Sequence, residues 1–216
     1  LRAERYVVPG TIQAKSDEWL GHIRGIVRPR SDLILKPEKC ALLIIDMVRY
    51  FAHPGGRGYL PASDAVTPRI AALLHLWRSL GGLVIFTRHC HMNADDLGML
   101  GKFYTDHINC DERDSHLIGE LSPLKDERVF RKDTYDSFYG TGLEEYLRAS
   151  GIEQVLVTGV LTQLCCETAA RSAFVRGFEV YLAADAMATT TEELHLGSLL
   201  GLASGFAVIG DTAEIL

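Results

Sequence analysis

The chain has 216 residues, 47% hydrophobic and 23% charged, with a formal net charge of −6. That length suits one large α/β domain, no apolar run approaches the roughly 20 residues of a bilayer-spanning helix, and no basic stripe accompanies the acidic balance. Membrane and nucleic acid are therefore set aside as partners, and a small-molecule substrate is expected. Residues Leu1 to Tyr6 lack the apolar segment of a secretory signal, so a cytoplasmic setting is expected. The five cysteines, at positions 40, 90, 110, 165 and 166, show no paired spacing. Reduced thiols are the expectation for all of them.

Residues 1–36 read as an N-terminal extension, with a turn at Pro9-Gly10 and a short helix opening at Ser16-Asp17-Glu18 that carries Trp19, Leu20 and Ile23 on one side. It is expected to lie over the core or a neighbouring subunit. The domain proper spans 37–216. Its first strand, Ala41 to Ile45, is continuously apolar, as strands buried on both faces of a parallel sheet are, and Asp46 ends it. A carboxylate there lies where α/β sheets bind ligands, although a strand-end Asp that caps a turn is common.

A Gly- and Pro-rich loop over 52–62 follows, then Ser63-Asp64 as a cap for a helix whose Val66, Ile70, Leu73, Trp77 and Leu80 share a face. Leu83 to Thr87 form the second strand, delivering Arg88, His89 and His91 to the rim. Arg88 is a candidate for binding a substrate carboxylate, with a surface ion pair as the alternative. His89 and His91 offer two metal ligands but no third follows at a recognisable spacing, so no metal or other cofactor is expected. The stretch 93–126 reads as a long active-site or interface loop with a short helix.

Val129 to Arg131 are a third strand leading to Lys132, which precedes aromatic residues including Phe138 and is thereby drawn toward the cleft. Thr141-x-x-Glu144 is a capping box for a further helix. The run Gln154 to Gly159 is a fourth strand, and a polar elbow after it opens a helix containing Ala169, Ala170 and Ala173. Cys165 is placed in that helix's first turn, where free N–H groups and the helix dipole favour a thiolate. Its neighbour Cys166 points about 100° away and is assigned to packing. Phe178 to Ala183 and Phe206 to Ile209 supply two more strands, with Thr190-x-x-Glu193 capping the helix between. This alternation calls for a three-layer α/β/α sandwich around a mainly parallel, six-stranded, Rossmann-like sheet.

Three strand ends thus offer an acid, a cation and a thiol, the parts of a covalent acyl transfer. Leu43-Ile44-Ile45-Asp46-Met47, the segment Lys132 to Thr141 with Ser137-Phe138, and Gly159-Val160-Leu161-Thr162-x-x-Cys165-Cys166-Glu167-x-Ala169-Ala170 together resemble the isochorismatase-like cysteine hydrolases, over about four-fifths of the chain. That family includes nicotinamidases, N-carbamoylsarcosine amidohydrolases, ureidoacrylate and biuret hydrolases, and isochorismatases. The resemblance implies a catalytic triad of Asp46, Lys132 and Cys165, a cis peptide at Val160–Leu161 in the elbow, and an oxyanion hole built from that elbow with the N–H of Cys165. It also implies a homo-oligomer and, around the pocket, roles for Phe51 and Phe138.

Two departures qualify it. The family's usual Asp-Met-Gln-Asn-Asp-Phe opening reads Asp46-Met47-Val48-Arg49-Tyr50-Phe51, and His89 stands where nicotinamidases begin an Asp-x-His metal motif. The expected function is cleavage of a C–N bond in a small amide or ureido substrate through a thioacyl intermediate. The alternatives are vinyl-ether hydrolysis of the isochorismatase type, whose enzymes carry a glycine at the position of Cys165, and a non-catalytic binding role. A thiol titrating below the roughly 8.5 of free cysteine belongs to the same expectation.

Overall fold

The computed structural model describes residues 3–28, 30 and 32–216; residues 1, 2, 29 and 31 of the expected extension lie outside the described residues. Six strands form one sheet: β1 Cys40–Ile45, β2 Val84–His89, β3 Arg128–Lys132, β4 Gln154–Val160, β5 Glu179–Ala188 and β6 Val208–Gly210, in the order β3-β2-β1-β4-β5-β6. Every pairing is parallel. The labelled helices are α1 Ile12–Ile26, α2 Ser63–Ser79, α3 Leu143–Ala149, α4 Glu167–Val175, α5 Glu192–Gly205 and α6 Thr212–Ile215.

Central β1 is wholly apolar and all six of its residues are buried, because it is covered on both faces. Each of its leucine and isoleucine side chains contributes about 1.5–3 kcal/mol relative to exposure. From β1 the chain runs through α2 to β2 on one side, and from β4 through α4 to β5 on the other; right-handed crossovers place those helices on opposite faces. The carboxyl ends of β1 and β4 therefore diverge, opening a crevice at the point where the strand order reverses. No described helix is long and apolar enough to cross a membrane.

The strands pair so that Ile45 faces Gly159. Gly159 has φ +108°, and a Cβ there would strike the backbone of Ile45, whose nitrogen would lie 2.7 Å away. Glycine is required twice over, by conformation and by the close approach of β1 to β4.

Helix α1 lies on this chain's own core: Trp19, Leu20 and Ile23 are buried in the main apolar cluster. The Trp19 indole donates to Glu192 at 2.8 Å and packs edge-on against His195, with ring centroids 4.6 Å apart. His195 is fully buried and its Nδ1 lies 2.9 Å from the Thr162 hydroxyl.

Several local expectations shift. Thr191, not Thr190, caps α5 through the N–H of Leu194. Ala62 precedes α2 with no side-chain cap, and Asp64 accepts instead from the Tyr59 hydroxyl at 2.7 Å. Strand β5 runs on past Asp185, which accepts from the Thr212 N–H and hydroxyl. The cysteines are also not all reduced: Cys90 and Cys110 form a disulfide with Cα atoms 4.9 Å apart. A parallel bridge between His91 and Asn109 brings their neighbours together, a pairing across the long loop that no local spacing encodes.

Two predictions follow from the packing. Gly159→Ala is expected to destabilise the fold by about 3 kcal/mol or more, since it combines a positive-φ side chain with backbone overlap; an unchanged melting temperature would contradict this close approach. Burial lowers the imidazole of His195 from its ordinary 6.5 to about 4, so the unfolded chain binds the proton more readily. Its contribution is fully present above pH 6.5 and is lost as the pH falls toward 4, up to about 3 kcal/mol. Denaturant titrations over that window should show a shallower acid loss in His195→Gln than in the parent, and equal slopes would refute the linkage.

Candidate active site

Asp46, Lys132 and Cys165 come from the ends of β1, β3 and β4 and meet in the crevice. The ammonium of Lys132 lies 2.7 Å from Asp46 Oδ2 and 3.2 Å from Cys165 Sγ, and it donates to the Thr134 carbonyl at 2.9 Å. It thus has two hydrogen bonds and one close ion pair, and the side chain is fully buried. Asp46 has φ +50°, a left-handed turn that Asp tolerates better than most residues and that swings its carboxylate off the strand into the crevice.

A residue missed from the sequence holds this carboxylate. The Thr87 hydroxyl donates to Asp46 Oδ1 at 2.7 Å and accepts from the Asp46 N–H at 3.1 Å, fixing both turn and side chain. A lone hydroxyl in the apolar run of β2 was its only sequence signal, and Thr158 in β4 presents the same signal while bonding only a backbone carbonyl.

Charge follows from this geometry. Burial, the largest single influence, pushes the Asp46 carboxyl up, but the Lys132 charge, His89 and the hydrogen bonds of Lys132 and Thr87 together outweigh it, and the net direction is down. Burial likewise opposes the charge on Lys132, yet Asp46 and Cys165 raise its pKa above the usual lysine value. For Cys165 burial dominates, Lys132 opposes it and Asp46 adds to it, so the thiol is pushed up to about 12.

The expectation of a low thiol pKa is therefore corrected. Asp46 already balances the positive charge of Lys132, leaving no surplus cation to favour a thiolate in a buried site. Nor does Cys165 occupy the first turn of an α-helix. It sits in a wider turn, Thr162–Cys166, that precedes α4. The resting site is carboxylate, ammonium and thiol. Cys166 is packed inside the core, its Sγ toward the Thr158 carbonyl.

The Val160–Leu161 peptide is cis, and Leu161 and Cys165 both border the cavity above the thiol. That cavity is about 480 Å³, a size suited to a small organic ligand. Its walls include Tyr50, Phe51, Tyr59, His89, Tyr104, Tyr135 and Gln163, so Phe51 lies where expected. Arg88 and Phe138 do not line it. Alternation along β2 turns Arg88 to the sheet face opposite its neighbours Thr87 and His89. Phe138 is buried in the core beside Phe178, with the Arg176 guanidinium over its ring.

His89, His91 and His107 are near neighbours, with ring centroids 5.0 Å apart for the first pair and 6.3 Å for the second. The Nδ1 of His91 is engaged by Asp96, at 3.2 Å from its carbonyl and 3.3 Å from its carboxylate. Among the described residues no three ligand-type side chains are grouped to hold an ion. Burial, reinforced by Lys132, lowers His89 to about 4 and keeps it neutral beside the triad.

The outer wall comes from loops. Arg57 pairs with Asp106, Glu112 and Asp114 and donates to the His107 carbonyl, tying the Gly- and Pro-rich loop to the long one. The Tyr104 and Tyr135 hydroxyls meet at 3.0 Å. From the extension, Ala3 borders the cavity and Glu4 donates its N–H to the Thr190 carbonyl at 2.8 Å.

Comparison with known proteins agrees with this arrangement. Nicotinamidase 3 of Arabidopsis thaliana is 39% identical over 179 residues, 81% of this chain and 86% of its own length. Enterobactin synthase component B of Escherichia coli is 30% identical over 88% of this chain and 67% of its own. A cysteine hydrolase structure from Pseudomonas syringae superposes with a TM-score of 0.81 at 26% identity, covering 88% of this chain and 94% of that one. The isochorismatase domain model matches residues 40–214, a span that holds all three triad residues, and the chain belongs to the isochorismatase family of hydrolases.

Proposed function

We propose that the protein is a cysteine hydrolase that cleaves the C–N bond of a small amide or ureido compound through a thioacyl intermediate. The observation that carries this reading is one lysine ammonium 2.7 Å from a buried carboxylate and 3.2 Å from a thiol that borders the cavity. Acid–base chemistry alone needs no nucleophile at that position.

In this mechanism the Cys165 proton passes to Asp46 as Sγ attacks the carbonyl, and Lys132 stabilises the developing negative charge. The oxyanion forms against the backbone N–H groups of Leu161 and Cys165. Asp46 then returns the proton to the leaving nitrogen, and an amine or ammonia departs. Water, deprotonated by the same carboxylate, releases the acid from the thioester. A thiol protonated at rest protects the nucleophile until a carbonyl is present to take the charge. The same proposal places the enzyme in the cytoplasm.

Vinyl-ether hydrolysis is the second reading, favoured by 30% identity over 160 residues to an isochorismatase of Bacillus subtilis, covering 74% of this chain and 51% of that one. One variant separates the two. Ammonia release should be measured across a panel of nicotinamide, carbamoyl and ureido compounds. Cys165→Ala should lower kcat/KM for the cleaved amide by more than about a thousandfold. Near-parental turnover of isochorismate by that variant would reverse the choice.

Thr87 supplies a second test. Thr87→Val keeps the volume but removes the hydroxyl that aims Asp46, so kcat should fall by about 10–100-fold with KM little changed. Thr87→Ser should recover most of the loss. Full kcat in Thr87→Val would show that Lys132 alone orients the carboxylate.

A further inference from the structure

Part of the cavity wall comes from the segment 91–109, and its residues differ sharply in how they are held. Leu100, Tyr104, Asp106, His107 and Ile108 border the cavity. Of these only Ile108 is buried; Tyr104 is 48% exposed, and nearby Phe103 is 74% exposed. Such a segment has few buried contacts to oppose local opening.

Its two ends, by contrast, are fastened at one place. His91 donates to the Ile108 carbonyl at 2.8 Å and Cys110 donates to the His91 carbonyl at 2.9 Å. Beside this bridge the Cys90–Cys110 disulfide closes the segment into a covalent ring. A small apolar cluster separate from the main core, Val48, Cys90 and Ile108 with Phe51 and Leu117 against it, surrounds the bond. Cys90 follows directly on His89, and Cys110 is only half-buried while Cys90 is fully buried.

We propose that Cys90 and Cys110 form a thiol–disulfide exchange site that locks and releases the outer wall of the active-site cavity. A dithiol reductant reaches Cys110, the accessible partner. One of its thiolates bonds to Cys110 Sγ, the Cys90–Cys110 bond breaks, and Cys90 leaves as a thiolate that takes up a proton. The reductant's second thiol then displaces Cys110 and closes its own disulfide. Two electrons and two protons have moved to the protein. With the ring open, the exposed segment is held by the backbone bridge, by Arg57 on Asp106 and the His107 carbonyl, by Arg131 on Asp96, and by the Tyr50 and Tyr104 hydroxyls, side-chain contacts at exposed positions that compete with water. Cys165 is then less enclosed. The inference rests on the cavity over Cys165 being the active site, and not on which reaction runs there.

The test reads the cavity without a substrate. Thiols are first counted in the denatured, unreduced protein: three are expected, and five would overturn the proposal. Iodoacetamide labelling of Cys165 is then followed by peptide mass at fixed pH in the oxidised protein, in the same protein after dithiothreitol treatment, and in a Cys90→Ser/Cys110→Ser variant. Labelling should be at least fivefold faster in both opened forms, with proteolysis at 97–107 accelerated in parallel. Rates within twofold of the oxidised protein, in a reduced form with native circular dichroism, would overturn it. Reduction of the parent chain decides the matter if the double variant does not fold. Faster labelling together with no ammonia from any amide would retain the lock and discard the amidase reading.

Discussion

A single buried ion pair, Asp46 with Lys132, is the constraint on which the rest of this structure depends. Two charges removed from water are tolerated only when each is fully supplied with partners. The fold meets that demand through backbone and side chain alike: the Thr134 carbonyl and the Cys165 sulfur complete the ammonium, and the Thr87 hydroxyl serves the carboxylate. Removing one partner from such a pair costs about 3–5 kcal/mol, so these positions bear directly on stability. The pair also decides the state of the Cys165 sulfur. A neutral couple beside a buried sulfur favours the thiol.

The architecture delivers this pair through strand ends. Because β1 and β4 are adjacent but send their chains to opposite faces, Asp46 and the Leu161–Cys165 elbow share one crevice. Gly159 lets the two strands approach closely enough for that crevice to be narrow. Sequence, topology and chemistry converge at Ile45 and Gly159, one residue before the acid and six before the thiol.

Much of this was legible in the sequence, for identifiable reasons. Apolar runs bounded by glycine announce buried parallel strands, and Asp46, Lys132 and Cys165 stand out because polar residues directly follow such runs or the elbow after one. Side-chain direction was less legible. Arg88 looked like a cleft residue because it follows an apolar strand, yet alternation with Thr87 turns it to the other face. The pocket role that the resemblance implies for Phe138 is not met, because its ring fills the core beside Phe178. The Cys90–Cys110 bond was hidden because it depends on a pairing across a loop of irregular structure. The thiol's protonation state was misjudged for an electrostatic reason: counting Lys132 as a free cation omits the carboxylate that neutralises it.

The course of the extension bears on the shape of the cavity. Ala3 borders the cavity, and the Glu4 N–H is bonded to the Thr190 carbonyl on the same rim, so a segment far in sequence from the Asp46–Lys132 pair forms part of the cavity's edge. A side chain longer than alanine at position 3 therefore takes volume from a ligand without altering Asp46, Lys132 or Cys165.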